Sequence, residues 1–208
     1  MTTNNVTQAN TTESMDPFAS GISHTLAWEN ASVTLRGDNR CILKGVSGTA
    51  HARSLTCLMG HSGSGKTTLL NLLAGKLSTS SDAIVERKVT LDGVPIDPSS
   101  IRVRRKIAFV AQRDTLLATA TAREALRFSA TLRLPRSTPS EEIENLVEGL
   151  LKELRLEAVA DCIIGGEHFR GMSGGEMRRV SLGVELVVRP SVVLLDEVTS
   201  GKSGQLAE

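Results

Sequence analysis

The densest concentration of chemistry-bearing residues is Gly60-His61-Ser62-Gly63-Ser64-Gly65-Lys66-Thr67-Thr68. It fits G-x-x-x-x-G-K-[ST], the spacing of a loop that wraps a phosphate. Gly63 and Gly65 let the backbone turn its N–H groups inward. Lys66 supplies a full charge for β- and γ-phosphates, and Thr67 offers a hydroxyl to Mg²⁺. A helix beginning near Lys66 would add the positive end of its dipole. The motif needs a strand before it and a helix behind it. Leu55-Thr56-Cys57-Leu58-Met59 is an apolar run of strand length, and Leu69 to Ala74 are good helix formers.

Two further groups could act on the same phosphates. Val192 to Leu195 is an apolar run that ends in Asp196-Glu197. A carboxylate at the end of a buried strand is costly unless it meets a cation. Asp196 could hold Mg²⁺ through water, and Glu197 could polarise a water for attack on a γ-phosphate. Read alone, the pair also suits an exposed acidic turn. Gln112 follows the short apolar run Ile107–Ala111. Its amide could ligate Mg²⁺ or orient a water, but spacing alone reads it as a polar residue opening a loop.

Ser173-Gly174-Gly175-Glu176 forms a capping box, with two glycines exposing backbone N–H groups at a helix start. That is either an ordinary capped helix or a second anion site. Two phosphate-binding helix starts in one chain suggest that each serves a different nucleotide. Two copies, head to tail, would then close over two nucleotides.

The elements that must position these groups follow in order. Residues 1–20 are rich in Thr, Asn and Ser and read as a disordered leader. Thr25–Leu35 and Cys41–Ala50 suggest two strands joined through Gly37-Asp38-Asn39, and Ile84–Ile96, broken at Asp92-Gly93, a second hairpin. Thr121 and Glu124 predict a capped helix to about Leu132, and Thr138-Pro139-Ser140-Glu141 a second box. Behind it Ile143, Leu146, Val147, Leu150, Leu151 and Leu154 repeat at helical spacing, so one face is core. The helix after Ser173 must stop before Pro190.

Composition narrows the function. The 208 residues suffice for one domain with a sizeable core. A net charge of +1 argues against a basic nucleic-acid surface, and 2% aromatics against base-stacking platforms. The three cysteines, at 41, 57 and 162, lack metal or disulfide spacing, and Cys57 reads as a small core residue. No signal peptide and no apolar stretch of membrane-spanning length is evident in these residues.

Taken together, the motifs resemble the nucleotide-binding domain of an ATP-binding cassette (ABC) transporter. Gly60–Thr68 corresponds to Walker A and Gln112 to the Q-loop. Met172-Ser173-Gly174-Gly175-Glu176 is a signature of the LSGGQ type, and Val192–Glu197 is Walker B. The stretches Leu69–Gly75, Phe128–Pro135 and Gly174–Leu186 look most like the G (White/brown-complex) subfamily. The resemblance covers roughly Leu26 to Gly201 and implies an α/β P-loop NTPase. Such a domain has a RecA-like parallel-sheet core, an N-terminal antiparallel β subdomain and an α-helical signature subdomain. It also implies ATP and Mg²⁺ as ligands, bound between the Walker A loop of one domain and the signature of a second, as a homo- or heterodimer. Gly60, His61, Ser62, Gly63, Ser64, Gly65, Lys66, Thr67 and Thr68, with Ser173, Gly174, Gly175 and Glu176, would hold the nucleotide. Thr67, Gln112 and Asp196 would hold the metal, and Glu197 with Gln112 would carry the chemistry. The implied partner is a six-helix transmembrane domain, the location the cytoplasmic face of a membrane, and the work export of lipids, sterols or xenobiotics.

Some residues depart from the family pattern. Val198 stands where Pro is usual, and Lys202-Ser203 where Leu-Asp continues the D-loop. Residues 202–208 carry neither the switch histidine nor the strands that follow Walker B in the family, and they read as a divergent tail. Without a neighbouring strand, the run before the phosphate loop is expected to be an exposed apolar edge. The 208-residue chain alone is expected to bind nucleotide weakly and turn it over poorly. No upstream aromatic stands clearly placed to stack on adenine: Val33 and Leu35 occupy the region, and Trp28 is a weak substitute. A competing reading is a non-transport module that regulates a full-length partner transporter. Chromosome-maintenance ATPases share a signature motif, but they carry a coiled-coil insertion that is lacking between Gln112 and Ser173.

Overall fold

The computed structural model describes residues 24–77, 80, 82–112, 115–166 and 170–197. The expected leader and tail lie outside these residues. Chain contacts divide the molecule into two compact units between Arg104 and Arg105.

The first unit is built on a four-stranded antiparallel sheet in the order β2-β1-β3-β4, with β1 Leu26–Leu35, β2 Cys41–Ala50, β3 Ala83–Leu91 and β4 Val94–Ile96. In β1 the buried residues are Leu26, Trp28, Ala31 and Val33. Strict alternation would break at the three-residue step from Trp28 to Ala31. A register irregularity there absorbs the extra residue, with Asn30 at φ 50°. The bulge is tied across the sheet by Asn30 N–H on Ser47 Oγ (3.0 Å) and Gly45 N–H on Ser32 Oγ (3.0 Å). Both expected hairpins form, and Asp92-Gly93 turns with positive φ at both residues, as a tight hairpin turn of this kind requires.

Helix α1, Lys66–Leu73, buries Leu69, Leu70, Leu72 and Leu73. Fully burying one such side chain is worth about 1.5–3 kcal/mol. Helix α2 is a single turn, Ile101–Arg104.

The second unit holds β5, Ile107–Val110, and β6, Val192–Leu195, paired parallel. Between them run α3 (Ala122–Arg133), α4 (Ser140–Glu153) and α5 (Gly174–Leu186). A parallel pair needs a long crossover, and these helices supply it. Leu126, Val147, Leu151, Leu156, Ile164, Val180 and Val187 form the core. The α4 repeat lies as expected: Val147, Leu150 and Leu151 are buried, with Ile143, Leu146 and Leu154 packed beside them. Arg123 of α3 pairs with Glu148 and Asp161, and Arg127 pairs with Glu144. Ser129 Oγ and Arg133 Nη1 each donate to Val184 O at 2.9 Å, which fastens α3 to α5.

Three expectations are corrected. Leu55–Met59 forms no strand; Leu55 is 85% and Met59 91% exposed. An extended apolar run becomes a strand only when a neighbour takes its backbone hydrogen bonds, and no described residue does so here. Cys57 is consequently exposed, as are Cys41 and Cys162. The capping box at Thr138 does not form: Pro139 occupies the N-cap position of α4, without a side-chain cap. Thr138 is instead held by its own N–H on Pro135 O (2.9 Å) in the turn that leaves α3. Among the described residues no helix is long and apolar enough to cross a membrane.

Candidate functional site

In the first unit, Gly60 to Lys66 curls round the amino end of α1. Lys66 folds back over the loop. Its Nζ donates to Gly60 O (2.8 Å) and His61 O (2.9 Å) and lies 3.5 Å from Ser64 Oγ. Ser64 N–H on His61 O (3.2 Å) closes the curve. Gly63 and Gly65 have φ of 79° and 90°, a region that costs other residues energy. Gly65 also packs where a Cβ would lie 2.6 Å from Leu43 Cδ2 and 3.3 Å from Ile42 O, so β2 sets the floor of the loop.

The donor set fits a phosphate. Gly65 is the N-cap of α1 and provides no side-chain cap, and the first turn carries no acidic residue. A helix start with neither a side-chain cap nor an acid of its own carries the positive end of the dipole that suits an anion. His61, Ser62, Gly63, Ser64 and Thr67 are exposed, and Lys66 and Thr68 half-buried. An arriving phosphate would take over Nζ donors that the loop carbonyls now hold.

In the second unit, β5 and β6 pair Ile107 with Val192 and Val110 with Leu195. Asp196 N–H continues the ladder to Val110 O (3.0 Å). The same register carried onward sets Gln112 across from Glu197, and Gln112 Nε2 donates to Glu197 Oε2. A carboxylate only accepts, so the amide nitrogen faces it and Gln112 Oε1 is left for a cation or a water. Asp196 is 4% exposed at the end of β6, while Glu197 is exposed and held at φ 48°. The sequence therefore pointed to two groups that share one strand end. Among the described residues no cluster of three or more His, Cys, Asp or Glu is assembled. Thr67 in the first unit, and Gln112 and Asp196 in the second, each carry an oxygen donor of the kind Mg²⁺ takes.

Ser173 caps α5 as expected. Its Oγ accepts Glu176 N–H (3.3 Å), and Glu176 Oε2 accepts Ser173 N–H and Oγ–H, both at 2.7 Å. The Ser173 hydroxyl and amide hold the Glu176 carboxyl below the usual carboxylate range. Glu176 thus supplies the negative charge at this helix start, and Gly174 and Gly175 are exposed beside it. The approach is fixed by Met172 N–H on Ile164 O (3.0 Å) and Ile164 N–H on Ala120 O (2.8 Å).

Trp28 is 5% exposed and packs on Gly48, where a Cβ would lie 2.5 Å from its ring. It is a core residue of the sheet, not a surface for a base. Sequence reasoning assigned no role to Arg178. Its guanidinium donates to Ala111 O (2.8 Å), to Gln112 O, and to Glu197 O (3.5 Å). Those acceptors are backbone atoms far off in the chain, which no local pattern announces.

A glycine-rich loop opening a helix, with a carboxylate-tipped strand in a parallel pair, defines the P-loop NTPase class. Residues 43–200 match the ABC transporter family, and the chain belongs to that family. It is 41% identical over 188 residues to "ABC transporter G family member 7" of Arabidopsis thaliana, covering 88% of this chain and 25% of that protein. With "ABC transporter G family member 22" of Dictyostelium discoideum the identity is 45% over 175 residues, 82% of this chain and 28% of the relative. "Brefeldin A resistance protein" of Schizosaccharomyces pombe is 39% identical over 184 residues, 87% of this chain and 12% of its own length. The chain thus spans about a quarter or less of the curated relatives named here.

Proposed function

We propose that this chain is the ATP-binding and ATP-hydrolysing module of a G-type ABC transporter. The observation that carries the reading is the paired strand end: Gln112 and Glu197 joined side chain to side chain beside the buried Asp196. The phosphate loop supports it, with Lys66 Nζ folded onto the loop carbonyls at a helix start that has no side-chain cap.

In this reading Gly60, His61, Ser62, Gly63, Ser64, Gly65 and Thr68 wrap the β- and γ-phosphates, and Lys66 neutralises them. Mg²⁺, held through Thr67, Gln112 and Asp196, supplies shielding of phosphate charge. Glu197 takes the proton of the attacking water as general base, and Gln112 orients that water. Ser173, Gly174, Gly175 and Glu176 contact the nucleotide held by a second domain. That partner is another copy or a related nucleotide-binding domain. Both work beneath a transmembrane domain, on the cytoplasmic face of a membrane, and the energy drives export of lipid or other hydrophobic substrates.

A composite site makes turnover depend on pairing. ATP hydrolysis per chain, measured against protein concentration, should rise with concentration before reaching a plateau. A rate per chain that is constant over the whole range contradicts the composite site.

A further inference from the structure

We propose that Arg178 is a positioning residue, clamping the carboxyl ends of β5 and β6 to the signature helix and so holding Gln112 and Glu197 in one arrangement. The proposal rests on the reading of Glu197 as general base given above, but its geometry is independent of it.

Three carbonyl oxygens converge on one guanidinium. Nη1 takes Ala111 O at 2.8 Å, and Nη2 takes Gln112 O and reaches Glu197 O at 3.5 Å. The planar fork of arginine suits this role, because its donors point in fixed directions and one group can hold several acceptors at once. The acceptors lie on both chains just beyond the last paired residues of the strands, Val110 and Leu195. Beyond that point Glu197 sits at φ 48°, a conformation a non-glycine residue keeps only when its surroundings impose it. Arg178 is half-buried and stands on the same helix as Ser173 and Glu176, which begin it. One rigid helix therefore carries the signature at its start and grips the Gln112–Glu197 pair a turn later. A displacement of α5 would be transmitted to the carboxylate through this fork. The Gln112–Glu197 side-chain bond supplies the fourth link of the cluster.

Lysine cannot reproduce the grip, because a point charge with one nitrogen cannot span carbonyls on two strands in the same way. Methionine keeps the aliphatic stem and removes every donor. Amide hydrogen exchange on the full chain, without nucleotide, reads the clamp directly. In Arg178→Met, exchange at residues 108–112 and 193–197 should rise about tenfold or more while α1, α3 and α4 exchange as in the parent chain. Arg178→Lys should fall between the two. Unchanged exchange at both strand ends in Arg178→Met overturns the proposal, and so does a uniform rise across α3, α4 and α5, the mark of a general structural role. If Arg178→Met does not fold, Arg178→Lys decides: parent-like exchange at the strand ends overturns the clamp, and a rise confined to them supports it. Hydrolysis assays then separate the two claims. With Glu197 as base, Arg178→Met should lower kcat by one to two orders of magnitude and leave KM within about twofold, as small misplacements of a reacting group do. A parent rate that Glu197→Gln does not lower would sink the general-base reading, while the exchange result still judges the clamp.

Discussion

Gln112 and Glu197 stand opposite each other because β5 and β6 share one register, and the amide of the first donates to the carboxylate of the second. The bond orients Glu197 and engages Gln112 through its nitrogen, so the amide oxygen is not used in it. Replacing Glu197 by Gln removes the proton acceptor but keeps the shape. We expect ATP to remain bound with affinity within a few-fold of the parent. Phosphate release should fall by about 10²-fold or more, the usual worth of a general base. Equal losses of binding and turnover would contradict this assignment.

Gly65 carries two demands at once, φ 90° and a floor set by Leu43. An alanine there would be strained and would push its Cβ into the Leu43 side chain. Gly65→Ala should destabilise the chain by about 1–3 kcal/mol and weaken nucleotide binding in the same protein. Denaturant unfolding and a nucleotide titration check both halves.

The start of α5 titrates through Glu176. Its carboxyl is held low by Ser173, so the unfolded chain binds that proton more readily than the folded one. The cap's contribution is present above about pH 4.3, the ordinary glutamate value, and is lost as pH falls through the lowered folded value. Ser173→Ala should lower stability near neutrality, and the gap between mutant and parent should narrow in that acid range while the part due to the Glu176 N–H bond to Ser173 Oγ remains. Thermal unfolding as a function of pH gives the comparison. A gap that widens on acidification would contradict it.

Trp28 is the only tryptophan, and it is sealed beneath Gly48. Its fluorescence should be insensitive to ATP, and Trp28→Phe should leave nucleotide affinity within about twofold. Quenching by adenine would show that the ring is accessible after all. The buried indole Nε1 has no partner among the described residues, so Trp28→Phe forfeits no hydrogen bond recorded there.

Much of this arrangement was legible in the residues themselves. The caps at Thr121 and Ser173 follow from a local code in which a hydroxyl and a glutamate three residues later satisfy each other. The α4 face follows from helical spacing, and the hairpin at Asp92-Gly93 from turn chemistry. What local patterns missed depends on distant partners. Leu55–Met59 is apolar enough for a strand, but pairing needs a neighbour that the run cannot specify. Thr138 carries the box residues yet is held in the turn after α3. Trp28 looked weakly suited to a base until the bulge at Asn30 and the packing on Gly48 put it inside. The clamp at Arg178 joins α5 to backbone atoms 66 and 67 residues before it and 19 residues after it, so only the folded chain reveals it.

The central claim, an ATP-binding and ATP-hydrolysing module, requires first that the phosphate loop bind nucleotide, and Lys66 is its simplest probe. A titration of the chain with a fluorescent ATP analogue and Mg²⁺, beside Lys66→Ala, tests it most directly. Loss of a charge-assisted contact to phosphate should weaken binding about a hundredfold, with the unfolding midpoint little changed because the ammonium rests on exposed loop oxygens. Equal affinity in parent and mutant would contradict the account.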